Sequence, residues 1–188
     1  MWTIRAEDVK SIGRTPGGDR FTEFVNSLIF GWAHLHGLPC SEIHVNQRTN
    51  KQDGGVDTDV CRSIPDDPLG WMSNPTIWQY KATDSSEVSE IKLCDEIKKW
   101  YVVKCVNLGY AYRSCICDGI PGYKKKSWED ILNREIKRIN ANAPDAKVLT
   151  ADDLAQWASH LPAIKLRYFQ PRIATLGQHF EAWGAQSH

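Results

Sequence analysis

The chain has 188 residues, and its 23 Lys+Arg balance 23 Asp+Glu, giving a formal net charge of +0. With 41% hydrophobic and 24% charged residues it has the composition of a folded domain, which excludes extended disorder, and its length suits one domain with at most a short appendage. Balanced charge excludes holding nucleic acid by bulk positive charge, so any such role needs a local basic surface.

Residues 1–20 are polar and turn-rich, with a loop at Pro16-Gly17-Gly18-Asp19. Phe21, Phe24, Val25, Leu28, Ile29 and Trp32 recur at helical spacing and predict an amphipathic helix ending near Gly37. Alternation over Glu42 to Gln47 predicts a strand. Arg48 to Gly55 is a turn, and Val56, Thr58 and Val60 mark a second strand. Residues 62–75, with three prolines, form a long connection, and Thr76 to Ala82 is a third strand. Asp84 with Glu87 reads as a capping box opening a helix with Val88, Ile91, Ile97 and Tyr101 inward and its stop near Gly109. A fourth strand spans Tyr110 to Cys117. Ser127 with Asp130 caps a helix carrying Trp128, Ile131, Leu132, Ile136 and Ile139. A short strand at Lys147 to Leu149 precedes a capping box, Thr150 with Asp153, and a last helix around Leu154 to Trp157. This order predicts an α/β fold, a mixed sheet with helices on both faces.

No segment approaches the ~20 apolar residues of a membrane span, because Asn26, His34 and His36 interrupt the most apolar run, so no membrane partner is expected. The start of the chain, with Arg5, Glu7 and Asp8, lacks the apolar region of a signal peptide, and the six Cys read as reduced thiols. Both point to a cytoplasmic location.

The pattern that carries chemistry is Asp53-Gly54-Gly55-Val56-Asp57 followed by Trp78-Gln79-Tyr80-Lys81. Residues two apart on a strand share a face, so Gln79 and Lys81 project together, and Asp57 reaches them if its strand pairs with theirs. A carboxylate, an amide oxygen and an ammonium then converge at one end of a sheet. Hard oxygen donors suit Mg²⁺, and a Lys beside it can orient a water. The ordinary alternative makes Asp53 and Asp57 turn residues and Lys81 a solvated strand residue.

Gly55-Val56-Asp57 with Gln79-Tyr80-Lys81 resembles the active site of the PD-(D/E)XK nucleases, in the Gln-x-Lys variant of the Mrr-like restriction endonucleases, and the predicted order of elements over roughly residues 20–160 is similar to that family's core. The resemblance implies a restriction-endonuclease-like mixed sheet flanked by helices. It implies Asp57, Gln79 and Lys81 as catalytic residues and Glu23, Asp57 and Gln79 as ligands of Mg²⁺, with Mn²⁺ able to replace it, and Lys81 positioning the attacking water. Gln79 departs from the usual acidic ligand and removes one negative charge. The implied activity is Mg²⁺-dependent endonuclease cleavage of double-stranded DNA. A non-catalytic nucleic-acid-binding or assembly module of the same fold, and an RNA-directed nuclease, are the alternatives. The C-terminal half also resembles nuclease effector domains found at the N-terminus of antiviral STAND NTPases, which implies antiphage defence and either self-association or a tethered sensor or ATPase domain. Residues 1–168 then form the nuclease domain and 169–188 a tail or linker.

Lys124, Lys125, Lys126, Arg134 and Lys137 are the candidate DNA-binding surface, against the commoner meaning of such runs as a solvated helix face. Residues 81–140 hold 12 Lys+Arg against 9 Asp+Glu, whereas residues 1–60 hold 6 against 8. Cys115-Ile116-Cys117 and His34-Leu35-His36 lack zinc-ligand spacing; the cysteines read as core, and His34 and His36, two apart, cannot share one helix face. Trp78 is expected in the core. Trp71 is the better candidate of the two to touch substrate, with packing still its first expectation.

Overall fold

The computed structural model describes residues 3–15, 18–46 and 54–169. The sequence from Gln47 to Asp53 and the expected tail from 170 onward lie outside the described residues, as do Pro16 and Gly17. The first helix, α1 (Ala6–Gly13), was not expected, because Val9 and Ile12 are its only large apolar residues; both are buried. Helix α2 (Asp19–Leu35) is the amphipathic helix that the spacing predicts, with Phe21, Phe24, Val25, Leu28, Ile29 and Trp32 all buried. It stops in a Schellman turn. Gly37 takes φ 71°, its N–H donates to His34 O at 3.2 Å, and the Leu38 N–H donates to Ala33 O at 2.8 Å.

Strands β1 (Ile43–Val45), β2 (Thr58–Val60) and β3 (Thr76–Lys81) form an antiparallel meander, in which His44 faces Asp59 and Thr58 faces Trp78. Strands β4 (Ala111–Ile116) and β5 (Lys147–Leu149) add in parallel, with Gln79 beside Ser114 and Lys81 beside Ile116. The sheet order is β1-β2-β3-β4-β5. The fold is therefore mixed α/β, a five-stranded mixed sheet flanked by seven helices among the described residues.

Two expected helices differ in outline. The segment after β3 is not one helix from Asp84. It is α3 (Glu90–Ile97), capped by Ser89 accepting from the Lys92 N–H at 3.2 Å, followed after a break at Lys98–Lys99 by α4 (Trp100–Asn107). The face α3 buries carries Leu93 and Ile97, so Ile91, expected inward, is 73% exposed. Helix α5 (Gly122–Ile139) starts five residues before Ser127, with Pro121 as its N-cap, so Lys124 to Lys126 lie in its opening turns. Helix α6 (Ala151–Ser159) begins at the expected capping box: Asp153 accepts from the Thr150 N–H at 2.7 Å. Helix α7 (Pro162–Tyr168), opened by Pro162, was not expected, and Phe169 beyond it packs edge-on against Phe24 at 5.9 Å. Among the described residues no helix is long and apolar enough to cross a membrane.

Strand alternation divides the core in two. One sheet face, with Val60, Trp78 and Tyr80, packs against α1, α2, α6 and α7 around Trp157, whose ring lies 5.0 Å from Trp71 and 5.7 Å from Trp78. Trp71 and Trp78 thus both pack. The opposite face, with Ile77, Tyr112 and Ile116, packs against α3, α4 and α5 through Leu93, Val102, Trp128 and Leu132. Cys115 and Cys117 are buried with their thiols free.

Candidate active site

The approach to Asp57 is built by two glycines. Gly54 and Gly55 take φ of 68° and 87°, a left-handed conformation that side chains disfavour. A Cβ on Gly54 would lie 2.7 Å from Tyr101 Cβ, and one on Gly55 would lie 2.4 Å from Lys99 Cδ. Only glycine lets the chain turn there while pressed against the start of α4.

Asp57 follows at the head of β2. Its N–H donates to Trp78 O at 2.8 Å, its carbonyl accepts from the Asn46 N–H at 2.8 Å, and its Oδ2 accepts from the Tyr80 N–H at 2.6 Å. The carboxylate is thereby fixed between β1 and β3, on a surface cleft shared with Asn46, Asp59 and Tyr101.

Gln79 and Lys81 share the face that looks toward α3, as alternation predicts. Gln79 is buried; its Nε2 donates to Tyr80 O at 3.4 Å, and its Oε1 has no hydrogen-bond partner among the described residues. Ser114 Oγ on the neighbouring strand and Tyr112 Oη on the same face are also buried without partners there. Lys81 Nζ donates to Glu96 Oε1 at 2.6 Å, and Lys99 Nζ lies 2.5 Å from Glu96 Oε2. Burial pushes the Glu96 pKa up, but the hydrogen bonds from Lys81 and Lys99 outweigh it, and the net effect is a pKa below the ordinary 4.5. Tyr112 is held well above 10, first by burial and then by the negative charges of Glu96 and Asp57, so both carboxylates act on one phenol.

Glu96 is the residue that pattern reasoning passed over. Between Asp95 and Lys98 it looks like part of a solvated charged face, but on α3 it lies one turn after buried Leu93, and its side chain is only 13% exposed. Glu23 behaves in the opposite way. It sits on α2, which packs on the far face of the sheet, and its carboxylate is 64% exposed, 3.9 Å from Arg167 Nη2, in a cavity with Asn26 and Ser27. The carboxylate that meets Lys81 is therefore Glu96, supplied by α3, rather than Glu23.

The basic helix also separates. Lys125 pairs with Asp153 at 2.7 Å, Lys137 with Asp145 at 3.1 Å, and Lys124 donates to Ser85 O at 3.3 Å while lying 4.8 Å from the Trp128 ring centre. Lys126 and Arg134 are exposed, with no partner among the described residues. Compared with known proteins, the chain matches no family model, no curated protein and no solved structure.

Proposed function

We propose that this chain is a Mg²⁺-dependent endonuclease that hydrolyses phosphodiester bonds in double-stranded DNA, with Asp57, Gln79, Lys81 and Glu96 as its centre. The supporting observation is the buried Gln79 Oε1, an acceptor without a partner among the described residues, on the sheet face that also carries Lys81 and its partner Glu96. A buried polar atom left unpaired costs about 1–3 kcal/mol, so its retention calls for a function. The donors fit a hard divalent cation: Asp57 and Gln79 offer oxygens, and Mg²⁺ takes few protein ligands and keeps its waters. When bound, Mg²⁺ supplies positive charge against the phosphate and acidifies the attacking water.

The rest falls to the side chains. The Tyr80 N–H holds Asp57 in one orientation, and Glu96 holds the Lys81 ammonium at a fixed place where it orients a water and offsets charge on the phosphate. The water oxygen bonds to phosphorus, the bond to O3′ breaks, and O3′ takes a proton, leaving 5′-phosphate and 3′-hydroxyl ends. Lys126 and Arg134 are the side chains of the basic helix free to meet a DNA backbone. In the setting that the sequence resemblance implies, a sensor domain or self-assembly delivers this effector to DNA.

The test is nicking of supercoiled plasmid by the full chain with Mg²⁺. Asp57→Ala and Lys81→Ala, each with unchanged circular dichroism, are expected to lower the rate by about 10³-fold. Equal rates for wild type and both variants would overturn the assignment. Faster loss of single-stranded RNA than of plasmid would move the substrate to RNA.

A further inference from the structure

A second group of donor side chains lies on the β1–β2 hairpin and does not depend on the nuclease reading. Antiparallel pairing sets His44 opposite Asp59, and Cys61, two residues on, returns to the side of Asp59, held in register by its N–H on Glu42 O at 2.8 Å. His44 Nδ1 is 3.1 Å from Asp59 Oδ2, and Cys61 Sγ is 3.5 Å from both. Tetrahedral Zn²⁺, with bonds of roughly 2.3 Å to sulfur and roughly 2.0 Å to nitrogen or oxygen, places N and O donors about 3.3 Å apart and sulfur about 3.5 Å from each. The three separations match that triangle.

One further observation points the same way. Asp59 is buried, yet among the described residues its one ion-pair partner is the imidazole of His44; no Lys or Arg meets it. A buried carboxylate is tolerated when paired or when it coordinates a metal. A cysteine nucleophile fits less well. Sulfur and carboxylate both approach the same ring nitrogen, whereas a catalytic triad uses the two nitrogens separately.

We propose that His44, Asp59 and Cys61 bind one transition-metal cation of the Zn²⁺ class, leaving the fourth position open at the exposed edge of the imidazole. A thiolate, an imidazole and one carboxylate select such a cation over Mg²⁺. Binding deprotonates the thiol and releases its proton, so affinity rises with pH.

The test is titration of the full chain with Co²⁺ under reducing conditions, followed by Zn²⁺. One equivalent of Co²⁺ is expected to give a thiolate-to-metal charge-transfer band with the visible bands of tetrahedral Co²⁺. Zn²⁺ should abolish both, and excess Mg²⁺ should leave them intact. Cys61→Ser should remove the charge-transfer band, and His44→Ala should weaken binding at least about tenfold. Cys94→Ser should leave the spectrum unchanged. Absence of the band in wild type, its survival in Cys61→Ser, or its loss in Cys94→Ser would overturn the assignment. Because Asp57 and Lys81 are untouched, these outcomes stand apart from the plasmid assay.

Discussion

The two faces of the sheet are built to different standards. On the α2/α6 face, buried polar groups have partners: Trp32 Nε1 donates to Asp67 at 3.0 Å, Trp78 Nε1 to Thr76 at 2.8 Å, and Thr58 and Tyr80 both to Asn26 Oδ1 at 2.7 Å. Arg113, buried in the same layer, donates to the carbonyls of Trp71, Tyr112 and Asp145. Trp157 Nε1 is that face's one exception among the described residues. The α3/α5 face instead gathers three unpartnered polar atoms, from Gln79, Tyr112 and Ser114, beside the Lys81–Glu96 pair. Stability accounts for the first arrangement. The second costs stability, as a working site does.

The largest effect expected from this contrast is on the satisfied face. Trp157 is fully buried and touches Trp32, Trp71 and Trp78. Trp157→Ala should cost about 3–5 kcal/mol in urea denaturation, a large share of a domain's usual stability. A loss below about 1 kcal/mol would mean that this face does not anchor the fold.

On the other face the sign should reverse. Gln79→Met keeps the volume, removes an unpaired acceptor and sacrifices one long hydrogen bond to Tyr80 O. Stability should stay level or rise by about 1 kcal/mol, while plasmid cleavage falls by about 10²-fold or more. Clear destabilisation would show that Gln79 serves the core, and wild-type cleavage would remove it from the site.

The extent to which the sequence foretold this follows from how local each signal is. All five strands and helices α2 and α6 were legible, because apolar period and capping boxes are local properties. The pairing of Gln79 with Lys81 on one face followed from alternation alone. Glu96 did not, because the expected inward face ran through Ile91, whereas α3 buries Leu93 and Ile97 and so brings Glu96 to the core side. Glu23 looked suitable only because helix position was legible while the face it presents was not. The internal pairing of Lys124, Lys125 and Lys137 rests on contacts with residues up to 39 positions away, which charge counting cannot register. His44 and Cys61 escaped for the same reason, being 17 residues apart and joined by strand register.

The smallest effect concerns pH and isolates the Lys81–Glu96–Lys99 group. Glu96 has a pKa below its unfolded value of about 4.5, so the folded state binds its proton less readily than the unfolded state does. The stabilisation is therefore present above pH 4.5 and is lost as pH falls through the folded value. Glu96→Gln cannot titrate and should be less stable than wild type at about pH 7 by about 1–2 kcal/mol, a figure kept modest because Lys99 is 41% exposed. As the medium is acidified, wild type should lose this advantage and the two denaturation curves should converge. Comparing the variants at each pH cancels the titration of the other carboxylates. A gap that stays constant with pH would assign the cost of Glu96→Gln to packing rather than charge, and would leave Lys81 positioned by something other than Glu96.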